Sequence, residues 1–211
     1  MSNKKPVAVF DLGGVIVRIC QTWQEAIQVA EVESPLLAQS PIPLTEFPPF
    51  NAYQATDLSL SEYLVELASF VGVTEDQALR IHLGILRAPY PGIDSVIDGL
   101  QEAEVTTGCL SNTNAPHWHA MTETEPFAPV ARLDYRAGSH ELGCAKPDLA
   151  AFQAYADKFG IADCEIVYFD DSRPNVEAAL SLGWSAHLID PWGDPPAQID
   201  EILKQRIPAY K

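Results

Sequence analysis

The sequence predicts an α/β fold: a three-layer core with a parallel sheet, interrupted by an inserted α-helical cap. Short apolar runs alternate with amphipathic segments along most of the chain, a pattern typical of a parallel sheet covered by helices on both faces. One long stretch breaks that alternation and keeps only helical spacing. Several apolar runs end in polar residues, as strands do where an open parallel sheet binds its ligands.

The predicted elements follow in chain order. Strands are expected at residues 7–10, 106–110, 131–135, 166–169 and 186–189. Helices are expected at residues 93–103, 147–159, 174–182 and 197–206. The second of these helices begins with Pro147, a residue type that favours the first helical position because it needs no N–H partner there.

The stretch 19–89 carries the predicted cap. Its segments QTWQEAIQVA, LSEYLVELASFVGV and TEDQALRIHLGIL place apolar residues at helical spacing, and none of them suggests a strand. A proline-rich connection, SPIPLTEFPPF, lies inside the stretch, and RAPYPG ends it. We predict a core domain at residues 1–18 and 90–211 and a helical cap at 19–89. The alternative is that these helices belong to one α/β layer.

Composition narrows the function classes. The chain has 211 residues, of which 47% are hydrophobic, which suits one modest domain with a sizeable insertion. Its net charge of −16 argues against nucleic acid as a partner and requires local cations around any phosphorylated substrate. No apolar run reaches membrane-spanning length and no signal-peptide pattern begins the chain, so we expect a cytoplasmic protein without a membrane partner. Four cysteines without a CxxC pair indicate reduced thiols. The oligomeric state stays open.

Polar residues follow three of the predicted strands. They are Asp11 after the first strand, Ser111 and Asn112 after the second, and Asp170 and Asp171 after the fourth. The segment GCAKPD adds Lys146 just before Pro147. Carboxyl ends of parallel strands share one edge, so these groups would meet there. Each also has an ordinary explanation, since Asp171 could cap a helix, Ser111 could lie in a polar turn and Lys146 could be solvated.

In this order the motifs resemble those of the haloacid dehalogenase-like (HAD) hydrolase superfamily with a type 1 cap. VAVFDLGG, GCLSNTN, CAKPD and VYFDDSRPN are similar to its motifs I to IV. FDLGGVIV and LSNTN further resemble bacterial sugar-1-phosphate phosphatases of the α-D-glucose-1-phosphatase type. The resemblance implies a Rossmann-like core and a Mg²⁺-dependent phosphatase for a small phosphomonoester, with a sugar phosphate as one candidate.

The resemblance also implies roles for the site residues. Asp11 is the nucleophile that forms an aspartyl-phosphate, and Lys146 is the catalytic cation that also binds the phosphoryl group. Ser111 and the backbone of Asn112 bind the transferring oxygens. The expected metal site comprises Asp11, the backbone carbonyl of Gly13, Asp171 and Asp170, the last of which holds the metal's waters or orients Lys146. Mg²⁺ suits such oxygen ligands.

Gly13 departs from the family pattern, which has an aspartate as general acid two residues after the nucleophile. Such an acid typically contributes about 10²–10⁴-fold in rate. One explanation is that another group replaces it or that the leaving group needs less help, as a sugar C1 oxygen would. His117 and His119 could then carry protons, although both could simply lie on a surface helix. Haloacid dehalogenation and a binding or scaffold role are the alternatives.

Substrate contacts are less well defined by the sequence. Gly14, Arg18 and Cys20 differ from the residues typical of the sugar phosphatases, which leaves sugar specificity open. Aromatic candidates for substrate contact are Trp23, Tyr53, Tyr63 and Tyr90. Packing within the cap's own core is the alternative for each of them.

Overall fold

The computed structural model describes residues 6–54, 57–162 and 164–211. Its strands there are β1 (Pro6–Phe10), β2 (Val17–Ile19), β3 (Leu86–Pro89), β4 (Thr106–Ser111), β5 (Tyr135–Gly138), β6 (Glu165–Asp170) and β7 (Ser185–Leu188). Its α-helices there are α1 (Trp23–Val29), α2 (Pro48–Gln54), α3 (Leu60–Val71), α4 (Glu75–Leu83), α5 (Ile93–Glu102), α6 (Ala115–Glu123), α7 (Ala128–Ala131), α8 (Ser139–Leu142), α9 (Leu149–Phe159), α10 (Arg173–Ser181) and α11 (Pro195–Arg206). Short 3₁₀ helices lie at Pro35–Ala38, Leu44–Glu46 and Glu125–Phe127.

The chain divides into two compact units. The core unit contains the residues up to Arg18 together with Ala88–Thr113 and Met121–Lys211. The helical unit contains Ile19–Arg87 and Asn114–Ala120. The second segment of the helical unit follows β4 and holds the first part of α6, whereas the sequence analysis assigned it to the core.

The core unit is built on a five-stranded sheet in the order β5-β4-β1-β6-β7. Every neighbouring pair in this sheet is parallel. The strand β1 lies at the centre, and its last residue, Phe10, is in register with Cys109 of β4 and Phe169 of β6. The predicted parallel α/β core is therefore confirmed. The residues that directly follow β1, β4 and β6 are brought to one edge of the sheet.

One predicted strand is wrong. In the expected strand at 131–135, Ala131 ends α7, residues 132–134 form a connection, and β5 begins only at Tyr135. Pro129 lies in the first turn of α7, a position that tolerates proline. Asp134, just before β5, accepts hydrogen bonds from the backbone N–H and the hydroxyl of Thr107, both at 2.9 Å. These bonds hold the residue before β5 against β4. The strand β5 therefore begins later in the sequence than the apolar pattern predicted.

The start of α9 also differs from the prediction. The helix begins at Leu149, and its N-cap is Asp148, whose side chain accepts from the backbone N–H of Ala150 at 3.0 Å. Pro147 therefore lies before the helix and is not its first residue. The side chain of Asp148 satisfies an otherwise unpaired N–H of the first turn, which fixes where the helix starts.

The helical unit has its own apolar core. Trp23 and Tyr63 are fully buried there, and Trp23 meets Phe47 and Phe50 edge to face. The sequence analysis expected no strand in 19–89. The structure adds a short pair, β2 with β3, at the two ends of that stretch. Among the helices of the described residues, none is long and apolar enough to cross a membrane.

Candidate active site

Three carboxylates converge at the carboxyl edge of the central strands. The backbone N–H of Asp11 donates to the carbonyl of Phe169 at 2.8 Å, which continues the pairing of β1 with β6 by one residue. Asp170 ends β6 and Asp171 follows it. Each of the three aspartates offers an oxygen within 4.8 Å of the others. The sheet thus brings together the acidic residues that the sequence analysis assigned to a metal.

Lys146 lies among these carboxylates. Its Nζ is 3.0 Å from Oδ1 of Asp11 and 2.7 Å from Oδ2 of Asp170. The same ammonium donates to the hydroxyl of Tyr168 at 3.0 Å. Its side chain is almost fully buried, so the solvated explanation for this lysine is wrong. An ammonium has three N–H donors, and these three acceptors can satisfy all of them.

Asp170 is fully buried and accepts hydrogen bonds at both oxygens. Oδ2 accepts from Lys146 at 2.7 Å, from Asn175 at 3.1 Å and from the hydroxyl of Tyr168. Oδ1 accepts from the backbone N–H of Ser172 at 2.8 Å and from Asn175 at 3.0 Å. These protein donors occupy the lone pairs that a metal would need. The arrangement favours the second of the two predicted roles of Asp170, which is to orient Lys146.

Asp171 packs against the loop that follows the first strand. Gly14 there has φ +77°, and a Cβ added to it would lie 2.3 Å from Oδ2 of Asp171. The alternative explanation for Asp171, that it caps a helix, is wrong because Ser172 is the N-cap of α10. Gly13, just before, forms an isolated bridge with Val17 inside the same loop. Absence of a side chain at Gly14 therefore makes room for the Asp171 carboxylate.

The charges of this cluster are not balanced. Burial raises the pKa of Asp11 to about 6, and Asp170 raises it further, whereas Lys146 opposes the shift. Burial also raises the pKa of Asp171 to about 7, with Asp11 and Asp170 adding to it. Three carboxylates thus share one ammonium in a poorly solvated place. The carboxylates of Asp11 and Asp171 are hard oxygen donors of the kind that fits a divalent cation such as Mg²⁺.

Ser111 and Asn112 lie at the end of β4, but the side chain of Asn112 has a role that the sequence analysis missed. Ser111 is the last residue of the strand and is buried. The Nδ2 of Asn112 donates to the carbonyl of Lys146 at 2.7 Å, and the N–H of Lys146 donates back to Oδ1 of Asn112 at 2.9 Å. This pair of bonds fixes the backbone of Lys146 next to the end of β4.

The two histidines of the APHWHA segment differ, and only His119 lies at the surface as one of the two explanations expected. His117 is buried in the helical unit, where Nε2 bonds the carbonyl of His82 at 2.8 Å and Nδ1 lies 3.3 Å from Nδ2 of Asn114. Both of its nitrogens are engaged, so neither the surface nor the proton-carrier explanation holds for His117. His119 is exposed on α6. These contacts also explain why residues 114–120 belong to the helical unit.

Three of the four aromatic candidates for substrate contact are packing residues in the helical unit. Trp23, Tyr53 and Tyr63 all belong to its apolar core. Tyr90 lies in the core unit, and its hydroxyl donates to the carbonyl of Pro191 at 2.9 Å. For the first three residues, the packing alternative is confirmed.

Tyr168 is the residue of the site that the sequence analysis missed. Residues two apart on a strand face the same side of a sheet, so Tyr168 and Asp170 share one face of β6. That alternation within VYFDD was the available signal. The sequence analysis included Tyr168 only as part of the predicted strand at 166–169, whereas the structure shows that its hydroxyl bonds two charged groups.

Comparisons with known proteins agree with this architecture. A family model described as haloacid dehalogenase-like hydrolase matches residues 6–183. A phosphatase of Mycobacterium tuberculosis (strain CDC 1551 / Oshkosh) is 28% identical over 134 residues, which cover 62% of this chain and 61% of that protein. The chain thus matches about three fifths of that relative's length.

Two further proteins resemble the chain over most of its length. A phosphoglycolate phosphatase of Xylella fastidiosa (strain 9a5c) is 22% identical over 217 aligned positions, with 97% of this chain and 91% of that protein covered. The crystal structure of a HAD family enzyme from Bacteroides thetaiotaomicron, in complex with magnesium and inorganic phosphate, has a TM-score of 0.71 at 20% identity. The match covers 90% of this chain and 96% of the Bacteroides enzyme, and it shows that the two proteins share a fold.

Proposed function

Since the chain belongs to the haloacid dehalogenase-like hydrolases, we propose that it is a Mg²⁺-dependent phosphatase for a small organic phosphomonoester. The observation that carries the proposal is the cluster of three carboxylates around one buried ammonium. The phosphatase names of two relatives support the reaction class. A structural neighbour that holds magnesium and phosphate supports the choice of cation and ligand.

The residues that hold the cation would be Asp11 and Asp171, together with the backbone carbonyl of Gly13. Burial raises the pKa of Asp11 to about 6 and that of Asp171 to about 7, so a cation beside these groups would stabilise their ionised forms. Bound Mg²⁺ would neutralise the charge of the phosphoryl oxygens. Asp170 would act through Lys146, because its oxygens are already engaged by protein donors.

Asp11 would be the nucleophile. Its Oδ1 accepts from the backbone N–H of Leu12 at 2.7 Å and lies 3.0 Å from the Lys146 ammonium, which together fix the orientation of the carboxylate. Ser111 and the backbone of Asn112 would bind the phosphoryl oxygens in the transition state. The Lys146 ammonium, whose N–H groups have acceptors within the protein, would stabilise the charge of these oxygens from its place beside Asp11. The attack would form a bond from Asp11 to phosphorus and break the ester P–O bond, and the departing oxygen would take its proton from water. A second water would then hydrolyse the aspartyl-phosphate to inorganic phosphate and regenerate Asp11.

Glycine at position 13 restricts which leaving groups the proposed reaction can release. It offers no side chain to protonate the departing oxygen, and the three N–H groups of Lys146 are directed at Asp11, Tyr168 and Asp170. We therefore favour a substrate whose leaving oxygen is a comparatively good leaving group, such as the C1 oxygen of a sugar phosphate. Haloacid dehalogenation needs no cation, so a cluster with two surplus carboxylates favours the phosphatase.

A phosphatase panel tests the proposal. Purified wild type and Asp11→Asn are assayed with Mg²⁺ on paired sugar 1-phosphates and 6-phosphates, with and without EDTA, by release of inorganic phosphate. We expect turnover by the wild type, faster on the 1-phosphates, and loss of at least about 10⁴-fold in Asp11→Asn. EDTA should abolish the activity. Turnover that survives both changes, or chloride release from 2-chloropropionate in EDTA, would contradict the proposal.

A further inference from the structure

We propose that Tyr168 is a positioning residue that holds the Lys146 ammonium in place for phosphoryl transfer, an inference that rests on the function proposed above. The hydroxyl of Tyr168 bonds the side chains of Lys146 and Asp170. It acts through Lys146 and Asp170. Neither the sequence analysis nor the comparisons assigned it a role.

Hydrogen-bond geometry places the hydroxyl between the two charged groups. Tyr168 is fully buried on β6, and its hydroxyl accepts from Nζ of Lys146 at 3.0 Å. The single phenolic proton then goes to Oδ2 of Asp170. The hydroxyl therefore both accepts and donates, and it completes the set of three acceptors that the ammonium requires.

Packing fixes where this hydroxyl lies. The ring of Tyr168 meets Phe152 edge to face with centroids 5.7 Å apart, and it meets Trp184 in the same manner at 5.6 Å. Rigid aromatic neighbours leave the phenol little freedom to move. A side chain held in this way can fix the ammonium in one direction, whereas the two carboxylates alone would let it rotate.

Without the hydroxyl, one N–H of a buried ammonium would lose its acceptor, and Asp170 would lose a donor. An unpaired charged donor in such a place is costly, so the ammonium would turn toward other acceptors. Small displacements of a group that stabilises a transition state can cost up to about 100-fold in rate. Binding of the substrate in the ground state depends on more groups, so KM should change less than kcat.

Tyr155 offers a matched control. It is fully buried in the same apolar cluster as Tyr168, and its hydroxyl also makes a hydrogen bond, here to the backbone carbonyl of Tyr135 at 2.8 Å. Tyr155→Phe and Tyr168→Phe each remove one buried hydroxyl of equal size. The two variants differ in what that hydroxyl bonds, because the partners of Tyr168 are the charged groups of the site.

Kinetics of the two variants give the first test. With Mg²⁺ and the best substrate of the panel, Tyr168→Phe should lower kcat by about 10- to 100-fold while KM changes by no more than about twofold. Tyr155→Phe should keep kcat within about twofold of the wild type. Equal kcat values in the two variants would overturn the proposal, since both would then report only a buried hydroxyl. A wild type without any phosphatase activity would instead refute the proposed function.

A second measurement needs no turnover. The side-chain ammonium of a buried, fully hydrogen-bonded lysine exchanges its protons slowly, so ¹⁵N-labelled protein should show a Lys146 ammonium signal, assigned by its loss in Lys146→Arg. Tyr168→Phe should shift that signal and speed its exchange by at least about tenfold, whereas Tyr155→Phe should leave both unchanged. An unaltered signal in Tyr168→Phe would show that Tyr168 does not hold the ammonium and would overturn the proposal.

Discussion

Two buried polar clusters, one in each unit of the chain, differ in how their charges are satisfied. The charged cluster of the core unit comprises Asp11, Lys146, Tyr168, Asp170 and Asp171. The histidine cluster of the helical unit comprises Gln54, Tyr63, His82, Asn114 and His117. Both lie among apolar side chains, yet one has surplus negative charge and the other none.

The histidine cluster is complete with both rings neutral. Nε2 of His117 faces the carbonyl of His82, so it carries the proton, and Nδ1 is left to accept from Asn114. Oδ1 of Asn114 accepts from Nε2 of His82 at 3.2 Å, and Nδ1 of His82 accepts from the hydroxyl of Tyr63 at 3.1 Å. Every donor in this chain of bonds meets an acceptor, so the cluster needs no ligand.

The charged cluster cannot be completed by the protein alone. Its carboxylates outnumber its ammonium. Burial raises the pKa values of Asp11 and Asp171, and the Asp170 carboxylate adds to both shifts. The comparison shows that buried polarity does not by itself indicate a functional site. Surplus buried charge is a better indication, because a bound cation would stabilise carboxylates that the protein itself leaves without a positive partner.

Among the substitutions that distinguish the two clusters, Gly14→Ala should have the largest effect, and it should act on the charged cluster. An added Cβ would lie 2.3 Å from Oδ2 of Asp171, so the carboxylate must move away from the proposed cation. We expect phosphatase activity to fall by about 10³-fold, since loss of the cation removes several kcal/mol of transition-state stabilisation. Mg²⁺ affinity, measured by calorimetry, should fall with it.

Gly160→Ala is the matched control for this substitution. Gly160 also has a positive φ, +64°, but a Cβ added there meets nothing within 4 Å. Its variant carries the strain of a left-handed alanine, about 1–2 kcal/mol of stability, without any clash. We expect its activity and Mg²⁺ affinity to match the wild type. Similar losses in the two variants would show that backbone strain, and not the Asp171 carboxylate, explains the effect at Gly14.

Acid should affect the histidine cluster specifically. Burial lowers the pKa of His117 to about 4, against an ordinary value of 6.5 in the unfolded chain. Between these two values the unfolded state binds more protons, so the free energy of unfolding falls as the pH drops from about 6.5 to about 4. The loss amounts to about 3 kcal/mol. The charged cluster should change the free energy of unfolding in the opposite direction. Because its carboxyl pKa values are raised, the metal-free protein becomes less stable as the pH rises.

His117→Gln, with His119→Gln as its control, tests whether the buried histidine causes the loss of stability in acid. Glutamine at 117 keeps an N–H donor for the carbonyl of His82 but cannot be protonated there. Denaturant unfolding in EDTA at pH 7 and pH 4.5 should show a smaller loss of stability in His117→Gln than in the wild type. His119 is exposed on the same helix, so its variant should keep the wild-type pH dependence. An unchanged acid dependence in His117→Gln would contradict the neutral network.

The parallel sheet and most of the site could be predicted because local patterns determined them. Apolar runs ending in polar residues identified Asp11, Ser111 and Asp170, and parallel pairing brought the strand ends together. Lys146 lies in a loop without periodicity, so only its place just before Pro147 and its likeness to a known motif indicated that it belongs to the site. Its burial depends on a tertiary contact with the side chain of Asn112, which no local pattern encodes.

Other features escaped prediction for the same reason. The burial of His117 is decided by partners distant in sequence, chiefly His82, and nothing in APHWHA distinguishes it from a surface segment. The strands β2 and β3 are too short to show an alternating pattern. Tyr168 was included only as part of the predicted strand at 166–169, and only the structure shows where its hydroxyl goes.

Calorimetric titration of the metal-free protein with Mg²⁺ at pH 8, on wild type and Asp171→Asn, tests the central claim most directly. At that pH, above the raised pKa values of Asp11 and Asp171, both carboxylates are ionised and the cluster should bind one Mg²⁺ per chain. Asp171→Asn should weaken that binding by at least about 10-fold. A wild type that takes up no Mg²⁺ at millimolar concentration, or one that binds it no more tightly than Asp171→Asn, would contradict the account.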